Sequence, residues 1–239
     1  MFRNSCNSTV SNPATLSAPR IATTSTVSAT PATLQYSDRI TVEATLTPGG
    51  ACALVPATNV SFFIGNRRLG TAALTPNGNS LKATLPNLPV VDAPGARQLV
   101  AVFEGLSPYF GVTNATNNLN VTAENAQAIY VGPTNVVAGT NGRAAVLLQA
   151  TVRDITALPA DPAFDPDPGQ ISNARVAFID RATGAVIAEV PVVATSDPRT
   201  GAASFVWNVS IGSEASVSYR IGMIVKNYYT QDNVAADRV

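Results

Sequence analysis

Two stretches of this chain repeat one strand–turn–strand pattern. Val60-Ser61-Phe62-Phe63-Ile64 runs into Gly65-Asn66 and returns through Arg67 to Ala72; Val176-Ala177-Phe178-Ile179-Asp180 runs into Arg181-Ala182-Thr183-Gly184 and returns through Ala185-Val186-Ile187. Each hairpin is followed by a second alternating run that closes on an aromatic pair. In the first copy the run is Gln98 to Glu104 with Tyr109-Phe110, and in the second Tyr219 to Lys226 with Tyr228-Tyr229. A pattern stated twice at this spacing predicts two similar β-rich units in tandem. At 239 residues each half is long enough to bury a core of its own.

Period-two alternation runs through both halves. In Arg39 to Thr47, Ile40, Val42, Ala44 and Leu46 point one way and Thr41, Glu43, Thr45 and Thr47 the other, the pattern of a half-buried antiparallel strand. Thr24 to Ala29, Asn59 to Ile64, Arg68 to Leu74, Leu81 to Leu85, Gln98 to Glu104 and Asn118 to Thr122 complete about seven short strands separated by Pro, Gly and Asn turns. Such a count and spacing suit a Greek-key sandwich. Glu124 to Gln127 reads as the junction. Beyond it Ala128 to Val131, Arg143 to Arg153, Ala174 to Ile179, Ala185 to Val193, Ala202 to Ile211 and Ser216 to Lys226 supply a second set. The reading is therefore all-β, two Greek-key sandwiches: a tail, linker or last strand of a preceding unit over 1–21, a first domain over 22–124 and a second over 125–239. After Tyr228-Tyr229 only Val234 to Val239 remain for a closing strand, so the expectation is that the chain stops at a processing or truncation boundary or that a neighbour completes the strand.

Composition narrows the function classes. Charged residues make up 13% of the chain, about half the usual fraction of roughly 25%. Fifteen basic residues balance fifteen acidic ones, and no stretch concentrates Lys or Arg, so nucleic acid and anionic lipid are not expected partners. Histidine is absent, which removes the commonest general base and the preferred imidazole metal ligand. No apolar run approaches the roughly 20 residues that cross a bilayer, so membrane insertion is not expected. Met1 to Ser8 lacks a basic start followed by an apolar segment and is not a secretory signal; an exported chain would be a fragment of something longer, or have its signal elsewhere or already removed.

Thr23 to Ser28, the alternating Thr41 to Thr47, Val60 to Gly65 with Leu69-Gly70-Thr71-Ala72, and Leu99 to Gly105 with Tyr109-Phe110 resemble the bacterial immunoglobulin-like repeat domains of large secreted and cell-surface proteins. The resemblance covers about residues 22 to 123. The second half is similar in plan but interrupted by an Asp/Pro-rich insertion. What the resemblance implies is a non-catalytic β-sandwich in series, extracellular or at the cell surface, serving as stalk, spacer, filament subunit or adhesive module. Self-association, or contact with neighbouring repeat domains through sheet edges, is the expected partnership, since strands poor in Lys leave those edges unguarded. The alternative is a carbohydrate-binding accessory module of a secreted enzyme. It calls for exposed, coplanar rings among Tyr109, Phe110, Trp207, Tyr228 and Tyr229 that would stack on surface glycans.

Two candidate sites stand out. Asp154, Asp161, Asp165 and Asp167 fall on or beside a loop stiffened by prolines, where hard carboxylate oxygens could gather Ca²⁺, with Asp180 or Asp197 as further ligands. The same residues also read as an ordinary solvated Asp/Pro turn. Cys6 and Cys52 form a disulfide if the compartment is oxidising and their α-carbons come close, or remain two unpaired small residues. An internal Lys–Asn crosslink needs a buried lysine, and Lys82 and Lys226 both fall on polar faces of their strands.

Overall fold

The structure is a computed structural model that describes residues 23–48, 58–105, 112–156 and 167–231. The first sandwich comprises β1 (Thr23–Thr30), β2 (Thr33–Gln35), β3 (Arg39–Pro48), β4 (Asn59–Ile64), β5 (Arg67–Ala73), β6 (Thr75–Asn77), β7 (Ser80–Pro89), β8 (Gly95–Phe103) and β9 (Thr113–Thr122). One sheet runs β1-β3-β7-β6 and the other β2-β9-β8-β4-β5. The first strand is thus divided between the sheets: β1 pairs antiparallel with β3, whereas β2 pairs parallel with β9. This division is an immunoglobulin-like arrangement of two packed sheets.

Alternation places the core where the sequence predicts it. Ile40, Val42, Ala44 and Leu46 on β3 are buried against Phe62 and Ile64 of β4 and Leu99, Ala101 and Phe103 of β8, within one cluster. Each large apolar side chain removed from water in this way contributes about 1.5–3 kcal/mol. Gly65, at φ +54°, takes the left-handed backbone of the turn that joins β4 to β5.

The second sandwich comprises β10 (Glu124–Tyr130), β11 (Arg143–Asp154), β12 (Ala174–Asp180), β13 (Val186–Pro191), β14 (Val193–Ala194), β15 (Thr200–Ser210), β16 (Ile221–Asn227) and β17 (Tyr229–Thr230). Its sheets run β14-β15-β11-β10-β17 and β13-β12-β16. Position for position, β10, β11, β15 and β14 repeat β1, β3, β7 and β6, and β13-β12-β16 repeats β5-β4-β8. The echoed hairpins are β4–β5 and β12–β13, and both carry a bulge directly after a buried phenylalanine, Phe62 and Phe178.

The structure differs from the sequence reading at three places. Glu124 to Gln127, the expected junction, is itself strand: β10 begins at Glu124, with Ala123 alone between it and the end of β9. Ser216 to Arg220 is exposed and takes no strand, so β16 starts at Ile221. The short strands β2, β6, β14 and β17 leave no legible period in two or three residues.

Candidate functional site

The two sandwiches meet in a buried joint built from both. Tyr36 follows β2 and is held by its amide, which donates to the Thr122 carbonyl at 2.9 Å. Its ring meets Tyr228 at 4.7 Å and Tyr229 at 5.8 Å between centroids, both edge-on. The Tyr36 hydroxyl accepts hydrogen bonds from Asn173 Nδ2 at 2.7 Å and from the Gln170 amide at 3.4 Å. Ser37 Oγ reaches the Glu124 carboxylate and the Asp167 carbonyl. Arg39 Nε donates to Asp167 Oδ2 at 2.6 Å.

Two acids are buried at this joint, Glu124 and Asp154. Both continue an apolar alternation: Glu124 shares the inward face of β10 with Ala126 and Ala128, and Asp154 that of β11 with Leu148, Ala150 and Val152. Period two was the signal that places them inside, and Asp154 lies opposite Ala126 across the ladder. Asp154 Oδ1 accepts from the Thr156 amide at 3.0 Å and from Thr156 Oγ1 at 2.7 Å, while Tyr229 Oη donates to Oδ2 at 3.4 Å. Burial, and then the charges of Glu124 and Asp154, push the Tyr229 phenol far above the ordinary tyrosine range. Tyr36 is raised by burial as well, opposed by its bonds from Gln170 and Asn173.

Gly169 makes the joint possible. A β-carbon there would lie 2.4 Å from Tyr229 Oη, 2.7 Å from Tyr36 Cε1 and 2.8 Å from Glu124 Oε2. The segment from Asp167 to Asn173, which begins at the end of the Asp/Pro-rich stretch, wedges between the sandwiches.

The carboxylates considered for calcium have separate positions among the described residues. Asp154 is inside the fold, and Asp167 pairs with Arg39. Asp180 accepts from the Ala182 amide and Thr183 Oγ1 in the β12–β13 turn. Asp197 accepts from the Arg199 amide and guanidinium, which lower its pKa. Among the described residues no three His, Cys, Asp or Glu side chains gather in a metal-binding group. Asp161, Asp165, Cys6, Cys52, Tyr109 and Phe110 lie outside the described residues. Lys82 pairs with Glu43 at 2.6 Å and Lys226 with Glu189 at 3.1 Å, both partly exposed.

A second feature is a groove of about 1070 Å³ in the second sandwich. Val146, Leu148, Trp207 and Val209 line it, together with Val136, Val137, Val217 and Tyr219. Trp207 and Tyr219 stand edge-to-face, 4.8 Å apart at 73°.

The pairing of sheets and the buried joint define a tandem immunoglobulin-like sandwich protein. The family model of the bacterial Ig-like domain (group 3) matches residues 25–124, the first sandwich. No curated protein matches the chain. Among solved structures, the native conformation of E. coli alpha-2-macroglobulin is similar over 86% of this chain at 10% identity and a TM-score of 0.29, and the chain spans 13% of its length. Dpr2 Ig1-Ig2 in complex with DIP-Theta Ig1-Ig3 is similar over 90% of this chain and 100% of that one, at 12% identity and a TM-score of 0.26. Likenesses this slight carry nothing about function. Among the described residues no helix is long and apolar enough to cross a membrane.

Proposed function

We propose that this chain is a non-catalytic structural or adhesive segment of a larger bacterial surface assembly, extracellular, and acting as a stalk, spacer or filament subunit. The observation that carries the reading is the joint. Ala123 alone separates β9 from β10, and Tyr36, Tyr229, Glu124, Asp154 and Gly169 are buried around that point. Sandwiches linked by a flexible spacer move independently. A buried polar and aromatic joint instead holds one orientation, which suits a part that carries load or sets a distance.

The carbohydrate-binding alternative needs coplanar, exposed rings. Tyr229 is buried, Tyr228 and Tyr229 meet Tyr36 edge-on, and Trp207 meets Tyr219 at 73°. Those angles favour packing over a flat platform for sugar. Small-angle scattering tests the structural reading: a single rigid, elongated particle is expected, its profile unchanged between low and high salt. A profile that requires two independently moving bodies, or a hydrolytic activity abolished by Asp154→Asn, would overturn it.

A further inference from the structure

In the first sandwich, β8 carries a ladder on both sides, to β4 through Leu99–Phe103 and to β9 along Gly95–Phe103. The leading residues Gly95 to Gln98 have β9 as their ladder partner. Ala115, Leu119 and Val121 of β9 are buried and close that side of the core. In the second sandwich the counterpart of β8 is β16, and among the described residues it pairs with β12 alone. Ser216 to Arg220, the counterpart of the leading half of β8, are exposed and unladdered. The strand equivalent to β9 is the member that the described second sandwich does not contain.

The core records the difference. In the first sandwich Ile40 on β3 is 1% exposed, opposite a half-buried Leu88 on β7. At the matching pair of the second, Val146 opposite Trp207, both side chains are only half-buried, with Val217 42%, Tyr219 40% and Val137 94% exposed beside them. The groove described above lies at this place, with an apolar floor and, on one wall, the side of β16 that no described strand pairs. A small molecule filling it would leave the β16 edge without a ladder, whereas an extended segment with alternating apolar side chains would satisfy floor and edge together.

We propose that this groove takes an added β-strand, and that the strand is the segment leading into β1 of a second copy of the chain. The proposal rests on the reading as an assembly module and names its contact. The argument for this occupant is continuity with the joint already present. β9, which completes the first sandwich, runs into β10, the first strand of the next, with Ala123 between them. The residues leading into β1 hold the same place relative to the sandwich they precede, and there Ala14, Leu16 and Ala18 alternate with Thr15 and Ser17. Docking them in the second sandwich of another copy repeats the junction found inside the chain. The contact joins two different surfaces, so it propagates head to tail, into an open filament or a closed ring.

Analytical ultracentrifugation of the full chain over a range of concentrations tests this with two variants at exposed or terminal positions. Leu16→Asp disables the inserting segment, and Val217→Asp the groove. The chain as it stands is expected to form species larger than dimers, each variant alone to remain monomeric, and an equimolar mixture of the two to stop at a dimer. A chain monomeric at every concentration overturns the proposal. So does assembly insensitive to Leu16→Asp, or a monomer whose Val217–Tyr219 amides are protected from hydrogen exchange, which would place the chain's own residues after Gln231 in the groove. A rigid, elongated monomer in scattering would leave the structural reading standing while removing this contact.

Discussion

The ring of Tyr36, from the first sandwich, stands edge-on to that of Tyr229, from the second, with 5.8 Å between centroids and 80° between planes. Both side chains are almost completely buried, so the pair exists only while the two sandwiches stay docked. Edge-to-face pairs contribute about 0.5–1.5 kcal/mol beyond the area they bury. With the buried acids beside them they tie unfolding of one unit to the other.

Gly169→Ala probes that docking directly. The added methyl would meet Tyr229 Oη at 2.4 Å and Tyr36 Cε1 at 2.7 Å, closer than packed atoms approach. Overpacking of this kind costs about 1–3 kcal/mol. A lower melting temperature is expected, with the single unfolding transition splitting in two as the joint loosens. Unchanged calorimetry would show that the joint does not couple the units.

Alkaline pH acts through the two tyrosines. Tyr229 and Tyr36 have folded-state pKa values raised above 10.0, the ordinary value, so the unfolded chain releases these protons first. Their contribution is complete below pH about 10 and declines as pH rises further, by about 1.4 kcal/mol per pH unit for each phenol still protonated in the fold. Urea unfolding between pH 9 and 11 should show this slope, and Tyr229→Phe should reduce it. An identical slope in the variant would contradict the assignment.

Asp154 and calcium separate cleanly. Asp154→Ala leaves the Thr156 amide and Thr156 Oγ1 without their acceptor, which costs about 1–3 kcal/mol per orphaned buried group, and leaves Tyr229 Oη with Glu124 alone of its two carboxylates. A large drop in stability is expected with or without added Ca²⁺. If the Asp161–Asp167 loop takes up calcium, the metal raises the melting temperature by mass action. Asp161→Asn with Asp165→Asn then removes that rise. A melting curve indifferent to millimolar Ca²⁺ and to chelator would dismiss the ion.

Arg39 and Asp167 form the exposed edge of the joint, at 40% and 32% side-chain exposure. Pairs in that setting contribute about 0–1 kcal/mol and weaken with salt. A double-mutant cycle on Arg39→Ala and Asp167→Ala should give a coupling energy in that range, falling in 1 M salt. A coupling above 2 kcal/mol would mark the pair as a principal tie.

Much of this architecture is legible from period two and from the repeated hairpin. Ile40-Val42-Ala44-Leu46 shows which way β3 faces, and the echo of Val60–Ile64 in Val176–Asp180 locates the equivalent strands β4 and β12. The same period reaches Glu124 and Asp154, yet charge suggests a loop at both, because a carboxylate is rarely buried without partners. Those partners, Ser37, Thr156 and Tyr229, include residues as far as 87 positions away. Ser216–Arg220 errs the other way. It alternates like a strand, but no strand among the described residues pairs with it.

Sequence alone determined the all-β class, the two-fold repetition and the inward face of each long strand, because side-chain direction in an extended backbone is a local property. Only the tertiary structure decided that Asp167 to Asn173 wedge between the sandwiches, that Tyr36 receives Tyr229, and that among the described residues β16 pairs with β12 alone. Ladders, ring contacts and buried carboxylates each need a partner brought from elsewhere in the chain, and a local period carries no record of which partner arrives.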